Sequence, residues 1–390
     1  MMSPIQLIIF GSPGTGKSYS IRDIAVEKLN MEWDEKNKRI KNAVKVVFHP
    51  EYTYSDFIGK LLPQTSGKGE VIYKFYEGHF LKALGNAYKE ILDGTNKNIL
   101  LIIDELNRGN ASAIFGSIFQ LLDREEDGWS SYEVDISGLE WVGLLNAMGY
   151  IASFDAVHGK LGLYVDSKPI ADFCEKLENK IPENTNLVRV INNIRYSKIS
   201  IPSNLSIIAT INTSDESIYY LDSAFKRRWN WQYVNVPSIK SDDSKFLNEN
   251  KFLLEWKIKI GKDETISWVQ FICKLNQFLI DNSKSIRKIE DKQIGWWFIK
   301  AKDSIIDLKE IENKLMFYLW DSVFHRDKSP LENLIAKHYT EKVNLVTFFD
   351  FISISEKFLS SIDKEFSDKR GVSRILCKSK IRAGSAQEIQ

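Results

Sequence analysis

A glycine-rich turn between an apolar strand and an amphipathic helix constrains this chain more than any other feature of its sequence. Residues 5–10 form a short apolar run, and apolar side chains recur at helical spacing over residues 21–29. Between them, GSPGTGKS matches the pattern G-x-x-x-x-G-K-[ST]. A strand before this pattern and a helix after it are the context in which it binds phosphate, and a plain glycine turn is the alternative.

The chemistry of this loop predicts a bound nucleotide. Glycines allow backbone N–H groups to curl around a phosphate, and the helix that follows presents its positive end to it. We expect Lys17 to reach the β- and γ-phosphates and the Ser18 hydroxyl to ligate Mg²⁺. The predicted nucleotide-binding residues of the loop are Gly11, Ser12, Pro13, Gly14, Thr15, Gly16, Lys17 and Ser18.

A second apolar run, LLIIDELNRGN, ends on two acids. Such runs are typical of strands that are covered on both faces of a parallel sheet, and ligands bind at the carboxyl ends of these strands. Beside a phosphate loop, Asp104 is expected to hold Mg²⁺, directly or through water, and Glu105 to orient or deprotonate the attacking water. The predicted metal ligands are therefore Ser18 and Asp104, with GTP or ATP as the substrate.

Two further stretches complete the predicted site. Residues 205–211 form another apolar strand, and Asn212 at its tip is expected to hold the water or the γ-phosphate. A helix that follows ends on Lys226, Arg227 and Arg228, and basic residues there ordinarily pair with the helix dipole. Their distance from the strand is also that at which ring-forming NTPases place an arginine finger. We therefore predict a catalytic role for at least one of them, with Arg227 and Arg228 as the candidates.

Taken together, these segments resemble the McrB-type AAA+ motor subunits of modification-dependent restriction systems. The motifs that carry the resemblance occur in the family's order and read GSPGTGKS, FHPEYTYSDFIGKLLP, IIDELNRGN, IIATINTSDESIYYLDSAFKRRW and DKQIGWWF. The likeness covers residues 5–126 and 195–330. It implies a GTPase, or in some relatives an ATPase, that forms a hexameric ring and stimulates a separate McrC-like endonuclease subunit. By the same likeness, Asn212 and Asp215 lie in the loop that positions the hydrolytic water, and Arg108 is offered across the subunit boundary.

The chain departs from the family pattern at three places. About ten residues precede the phosphate loop, so we expect no DNA-reading domain at that end. The family's lid motif usually reads IGHS, whereas IGWW stands here, and Lys292 is expected to supply the lid's contact with the nucleotide. Residues 127–194 are far longer than the hairpin expected between these strands. They are predicted to be either a structural elaboration or a site for DNA or the partner nuclease.

The predicted fold class is α/β: a P-loop AAA+ domain whose parallel sheet is flanked by helices, with an α-helical lid and an inserted subdomain. The predicted divisions are residues 1–126 and 195–240 for the core, 127–194 for the insertion and 241–366 for the lid. Residues 367–390 are basic and are predicted to be a disordered tail, with a contact to DNA phosphates as the alternative.

Composition narrows the classes of partner. The 390 residues carry 53 basic and 52 acidic side chains, so no global charge favours nucleic acid, and DNA contact is expected to be weak or indirect. The three cysteines are far apart, as in reduced cytosolic proteins. Neither a signal peptide nor a membrane-length apolar run is apparent, so we expect a cytoplasmic protein without membrane contact.

Two other functions remain compatible with these motifs. One is a MoxR-like ATPase that remodels protein complexes. The other is a nucleotide-gated scaffold that assembles with partners and scarcely turns over. The NRGN and FHPEYTYSDF segments favour the restriction motor over the first, and retention of Glu105, Arg227 and Arg228 opposes the second.

Overall fold

The computed structural model describes residues 3–65, 67–157, 160–179, 185–212, 219–237, 247, 250–261, 264–340 and 342–366. The chain forms two compact units. The first comprises residues 1–10, 18–211 and 215–232, and the second comprises residues 11–17, 212–214 and 233–390. The predicted basic tail lies outside the described residues.

A five-stranded sheet forms the centre of the first unit. Its order is β14-β1-β13-β7-β4, and β7 pairs in parallel with both of its neighbours. These strands are β1 (Gln6–Gly11), β4 (Ala43–Val47), β7 (Ile99–Asp104), β13 (Leu205–Asn212) and β14 (Asn230–Tyr233). The first five residues of β7 and the first seven of β13 are buried, as expected for strands that are covered on both faces. The predicted parallel sheet is confirmed.

Helices cover this sheet and its extensions. The first helix begins at Lys17 and continues as a π-helical turn over Ile24–Lys28. The helices of the unit are α1 (Lys17–Asp23), α2 (Tyr54–Ile58), α3 (His79–Leu92), α4 (Ala111–Phe115), α5 (Gly138–Ala147), α6 (Ile170–Glu178), α7 (Thr185–Arg195) and α8 (Ser223–Lys226), with 3₁₀ turns at Leu106–Arg108 and Gly116–Leu122. The buried face of α3 packs into the same core as the sheet.

The first unit also contains short strands that pair with one another in two- or three-stranded sheets. They are β2 (Trp33–Asp34) with β3 (Arg39–Ile40), β5 (Gly59–Thr65) with β6 (Val71–Glu77), β8 (Val134–Asp135) with β12 (Lys198–Ile199), and the triplet β9 (Ala152–Val157), β10 (Lys160–Val165) and β11 (Lys168–Pro169). Most side chains of the hairpin of β5 and β6 are exposed.

The long stretch over residues 127–194 shares the core of the sheet. Trp129 and Trp141 are fully buried and belong to the same hydrophobic cluster as Leu101 of β7. The Trp141 indole N–H donates to the backbone oxygen of Ile194 at 2.9 Å, which connects α5 to α7. Both tryptophans are therefore core residues and are not open surfaces on which bases could stack.

The second unit is built mainly of helices around its own core. A three-stranded sheet of order β16-β15-β17 lies beside them. The elements are β15 (Lys257–Ile260), β16 (Glu264–Ser267), β17 (Ile305–Ile306), α9 (Trp268–Asp281), α10 (Ile289–Lys292), α11 (Leu308–Glu310), α12 (Ser329–Tyr339), α13 (Phe348–Ser353) and α14 (Ser355–Glu365), with 3₁₀ turns at Lys251–Glu255 and Trp296–Phe298 and π turns at Ile311–Met316 and Leu319–Val323. Nearly all residues of α9 from Trp268 to Leu279 are buried in this core.

Candidate functional site

The phosphate loop, residues 11–18, has the backbone that its glycines predict. Gly14 and Gly16 have φ angles of 72° and 88°, which L side chains rarely adopt, and α1 begins at Lys17. The Lys17 ammonium donates to the backbone oxygens of Gly11 and Ser12 at 2.9 and 3.1 Å. The loop thus places its one cation against its own carbonyl groups, within reach of the helix start.

A lid segment, residues 295–298, contacts this loop through its backbone. The N–H of Gly295 donates to the Pro13 oxygen at 3.0 Å, and the N–H of Trp297 donates to the Gly14 oxygen at 2.9 Å. A side-chain bond adds to these, because the Ser12 hydroxyl donates to the backbone oxygen of Glu290. The segment therefore binds the face of the loop that carries its carbonyl groups.

The acid pair ends β7, as predicted. The Asp104 carboxylate accepts a hydrogen bond from the Thr210 hydroxyl on β13 and lies 3.1 Å from the ammonium of Lys45 on β4. Thr210 also accepts a bond of 3.2 Å from the backbone N–H of Glu105. One buried hydroxyl therefore fixes the Asp104 carboxylate and the start of the turn at Glu105.

Glu105 adopts a strained backbone. Its φ and ψ of 57° and 44° place it in the left-handed region, which costs a residue other than glycine roughly 1–2 kcal/mol. Such strain persists only where the surroundings hold it, and it concentrates at functional sites. Here the bond to Thr210 holds one side of the residue, and the Arg108 N–H, which donates to the Glu105 oxygen at 2.9 Å, holds the other.

The donor set fits Mg²⁺ bound together with a nucleotide. Mg²⁺ takes one or two protein oxygens and completes its shell with phosphate oxygens and water. Asp104 offers a carboxylate oriented by Thr210, and Ser18 offers an exposed hydroxyl in the first turn of α1. Among the described residues, no cluster of three or more His, Cys, Asp or Glu side chains forms a self-sufficient metal site.

The NRGN segment after the acids divides into structural and exposed residues. Asn107 is buried, and its backbone oxygen accepts from the Tyr219 N–H at 2.8 Å. Asn110 is the N-cap of α4, since its side chain accepts from the Ala113 N–H at 3.2 Å. Arg108 is exposed between them, so its side chain is available to a neighbouring molecule.

The two candidate finger arginines occupy different surroundings. The Arg228 guanidinium lies 2.6 Å from the Asp123 carboxylate and 4.0 Å from the ring centre of Phe119, with its side chain only 8% exposed. Arg227, next to it, is exposed. Of the two, the exposed Arg227 is therefore better placed to reach another subunit than the paired Arg228, and the catalytic role of either arginine stays a prediction.

Of three other predicted site residues, the structure describes two. Asn212 is the last residue of β13, two positions after Thr210 on the same face of the strand. Asp215 lies outside the described residues. Lys292 ends α10, and its backbone oxygen accepts from the Tyr318 hydroxyl at 3.3 Å. The nucleotide contact of Lys292 stays a prediction.

The aromatic segment after β4 is part of the core. Phe48 and Phe57 are buried and meet edge to face, with ring centres 5.8 Å apart. The Tyr52 hydroxyl lies 2.9 Å from Nδ1 of His79, and burial lowers the pKa of His79 below its ordinary value. Thr53 caps α2 in a capping box with Asp56. The segment therefore supports the edge of the sheet where the acids lie.

Sequence reasoning missed three residues that shape the site. Thr210 could have been identified from the sequence, because it lies two residues before Asn212 and therefore on the same face of a mostly apolar strand. Lys45 gives none, since a lysine on a short strand is usually solvated. Gly295 stands where the family motif has its own glycine, but its contact with the loop depends on tertiary packing.

Comparison with known proteins agrees with these motifs. The chain is 29% identical over 378 residues to the type II restriction enzyme BsuMI component YdiS of Bacillus subtilis, covering 88% of each protein. It is 31% identical over 126 residues to the type IV methyl-directed restriction enzyme EcoKMcrB subunit of Escherichia coli. The chain is thus similar to restriction-system components, to the first over most of its length and to the McrB subunit over part of it. The second match spans 32% of this chain and about a quarter, 24%, of the E. coli protein.

Other comparisons add little. No family model matches the chain. A solved putative ATPase from Cytophaga hutchinsonii is similar over 82% of this chain and 71% of its own, at 11% identity and a TM-score of 0.26. PCH-2 of C. elegans is similar over 93% of this chain and 62% of its own, at 13% identity and a TM-score of 0.23. The fold is therefore assigned from the order and the parallel pairing of the strands in the five-stranded sheet.

The phosphate loop before α1 and the acid pair at the end of β7 are thus the features of a nucleotide-binding protein of the P-loop class. Among the residues that the structure describes, no helix combines the length and the apolar character needed to span a membrane.

Proposed function

We propose that this protein is the NTP-hydrolysing ring motor of an McrBC-like restriction system, which activates a separate endonuclease subunit. The observation that carries the proposal is the pair Asp104 and Glu105, held by Thr210 at the end of β7. The relatives named as restriction components give the system in which the hydrolysis is used.

The sheet order supports the hydrolytic part. β13 lies between β1, which leads into the phosphate loop, and β7, which ends on the acids. In our proposal the loop and Lys17 bind the phosphates, while Ser18 and Asp104 hold Mg²⁺. Glu105 orients or deprotonates the water, and Asn212, with Asp215, helps to position it. The Mg²⁺ ion would supply charge neutralisation at the β- and γ-phosphate oxygens.

The assembly into a ring rests on exposed arginines. Arg227 and Arg108 are both exposed, so each is free to reach the active site of a neighbouring subunit. An arginine supplied in trans stabilises the charge of the transition state. The family resemblance implies six subunits, and hydrolysis by such a ring rises steeply with protein concentration.

The link to DNA runs through a partner in this proposal. With a formal net charge of +1, the chain lacks the excess of cations that gives strong nonspecific affinity for DNA. We propose that the nuclease subunit, or a DNA-reading partner, makes the main contact with DNA. The chain alone is expected to bind DNA weakly and in a salt-sensitive manner, without cleaving it.

The test measures turnover of GTP and ATP side by side, with and without an McrC-like nuclease subunit as the candidate partner. We expect Mg²⁺-dependent hydrolysis of at least one nucleotide and DNA cleavage only when both proteins are present. Lys17→Ala should abolish nucleotide binding, because the phosphates lose the loop cation. Turnover without any effect on a nuclease would point to a remodelling ATPase, and tight nucleotide binding without turnover would point to a scaffold.

A further inference from the structure

We propose that the lid segment, residues 295–298, positions the phosphate loop for nucleotide, and that Gly295 is the positioning residue of this contact. The inference rests on the proposed nucleotide binding and adds a residue that the motifs do not assign to it. Three observations carry it: two backbone hydrogen bonds, the absence of room for a side chain at Gly295, and the geometry of the peptide unit.

The hydrogen bonds anchor two consecutive carbonyl groups of the loop. The oxygens of Pro13 and Gly14 accept from the N–H groups of Gly295 and Trp297, at 3.0 and 2.9 Å. In a planar trans peptide, the C=O of one residue and the N–H of the next point in opposite directions. Fixing the Pro13 oxygen therefore fixes the direction of the Gly14 N–H. Fixing the Gly14 oxygen likewise fixes the direction of the Thr15 N–H.

Those N–H groups are the ones that a phosphate loop uses to cradle its ligand. A loop of this glycine content has many backbone states of similar energy, and ordering it on binding costs free energy. Because the lid segment holds the carbonyl face, the opposite face is presented to phosphate before the nucleotide arrives. The lid segment thus lowers the cost of binding through preorganisation.

The fit between the two segments leaves no space for a side chain. A Cβ atom at Gly295 would lie 2.0 Å from the Gly14 oxygen and 2.4 Å from the Thr15 nitrogen. A Cβ atom at Gly14 would lie 2.6 Å from the Phe298 nitrogen. The nearest atoms at Gly295 all belong to the backbone, so the movement of a flexible side chain cannot relieve the clash. Glycine at position 295 is therefore required for the contact.

The indole of Trp297 extends the contact toward the end of the loop. Its Cδ1 and Nε1 atoms would each lie 3.2 Å from a Cβ atom at Gly16. Trp256 and Phe252 support this ring, with ring centres 5.8 and 5.6 Å from it. The indole is held by these aromatic neighbours, so the lid segment is a preformed surface against the loop.

The experiment compares Gly295→Ala with Gly67→Ala, whose added Cβ meets nothing within 4 Å. Affinity for fluorescent GTP and ATP analogues and the steady-state KM and kcat are measured on the full chain. We expect Gly295→Ala to raise Kd and KM at least fivefold while kcat stays within threefold, since the Asp104–Thr210 pair is unchanged. Gly67→Ala should match the wild type. A rise in Kd smaller than fivefold would overturn the inference.

Hydrogen exchange on the wild-type chain decides the matter if Gly295→Ala does not fold. The peptide containing residues 294–299 should exchange at least fivefold more slowly with saturating Mg²⁺–nucleotide, because an occupied loop stabilises the acceptors of both N–H groups. Unchanged exchange on binding would contradict the proposed role. A wild-type chain that binds no nucleotide would contradict the proposed function and this inference together. Wild-type Kd and KM for Gly295→Ala, in a chain that does bind and hydrolyse nucleotide, would contradict only the inference.

Discussion

The Thr210 hydroxyl donates a hydrogen bond to the Asp104 carboxylate, and the same oxygen accepts a bond of 3.2 Å from the Glu105 N–H. Thr210 is buried, so both bonds form away from bulk water. The threonine therefore acts on the metal ligand and on the strained backbone of the proposed base at once. Residues that orient a metal ligand in this way contribute to activity without contacting substrate.

Replacing Thr210 with valine should lower hydrolysis while nucleotide binding is retained. Valine keeps the shape of the side chain but removes the hydroxyl, so Asp104 loses its orienting bond and the Glu105 N–H loses its acceptor. Loss of such a partner typically costs about 10- to 100-fold in activity or metal affinity. The measurement is kcat with increasing Mg²⁺, and Thr210→Ser, which keeps the hydroxyl, is the control. Equal rates for the valine and serine variants would exclude this role.

Glu105→Gln should separate binding from hydrolysis. The amide keeps the size of the side chain but cannot take a proton from water, whereas Asp104 still holds Mg²⁺. We expect nucleotide affinity close to that of the wild type and hydrolysis reduced to the background rate. Affinity is measured by titration of a labelled nucleotide and turnover by phosphate release. Hydrolysis at the wild-type rate would show that another residue activates the water.

The sequence predicts the central strands of the sheet well because their apolar pattern is visible in consecutive residues. The continuous apolar runs that become β7 and β13 are the pattern of strands covered on both faces, and each ends on the polar residue that it presents. The phosphate loop is similarly local, since its glycines and the helix after it are adjacent in the chain. Features fixed by neighbours in sequence are therefore the ones that the sequence alone reveals.

Features that depend on distant residues are hidden in the sequence. Nothing near Arg228 indicates that Asp123, 105 residues away, pairs with it and withdraws it from the surface. The hairpin of β5 and β6 is not apparent from the sequence either, because its exposed strands lack a buried face that would produce an alternation of apolar and polar residues. Residues 127–194 look like a separate subdomain for a similar reason, since their packing into the core of the sheet is a long-range contact.

Trp141→Ala should test whether residues 127–194 are integral to the core. The indole is fully buried, so its removal is expected to cost about 3–5 kcal/mol in the free energy of unfolding. Tyr132→Ala, at a side chain that is 54% exposed, should change this free energy by no more than about 0.5 kcal/mol. Urea denaturation of both variants provides the measurement. A small loss for Trp141→Ala would mean that this stretch can be removed without opening the core.

Stability should fall in mild acid through His79. Burial lowers the pKa of His79 below its ordinary value of 6.5, so the folded state disfavours the imidazolium. The unfolded chain then binds more protons than the folded chain. Full stability is present above pH 6.5 and is lost as the pH falls through the lower folded pKa. Thermal melts between pH 7.5 and 5 should show a smaller acid loss for His79→Gln than for the exposed-site control His325→Gln.

Alanine substitutions at the two adjacent arginines should have different effects, one on stability and the other on the rate of hydrolysis. Arg228→Ala leaves the Asp123 carboxylate without its partner and is expected to cost about 2–3 kcal/mol in unfolding free energy. Arg227→Ala alters an exposed side chain, so its melting temperature should match the wild type. If Arg227 acts in trans, however, its loss should lower kcat by about 10³- to 10⁵-fold with nucleotide binding retained.

Mixing two inactive variants tests whether the arginine comes from a neighbouring subunit. Arg227→Ala keeps Glu105, and Glu105→Gln keeps Arg227, so a mixed ring contains some interfaces with both intact groups. We expect hydrolysis to recover on mixing and to depend on the ratio of the two variants, with a maximum near equal amounts. The matched control is a double variant that carries both Lys17→Ala and Glu105→Gln in one chain. It is mixed with each single variant in turn, because it donates Arg227 but contributes no active site of its own. It should rescue Arg227→Ala and leave Glu105→Gln inactive. Mixtures that stay inactive throughout would place the arginine finger elsewhere, with Arg108 as the remaining exposed candidate.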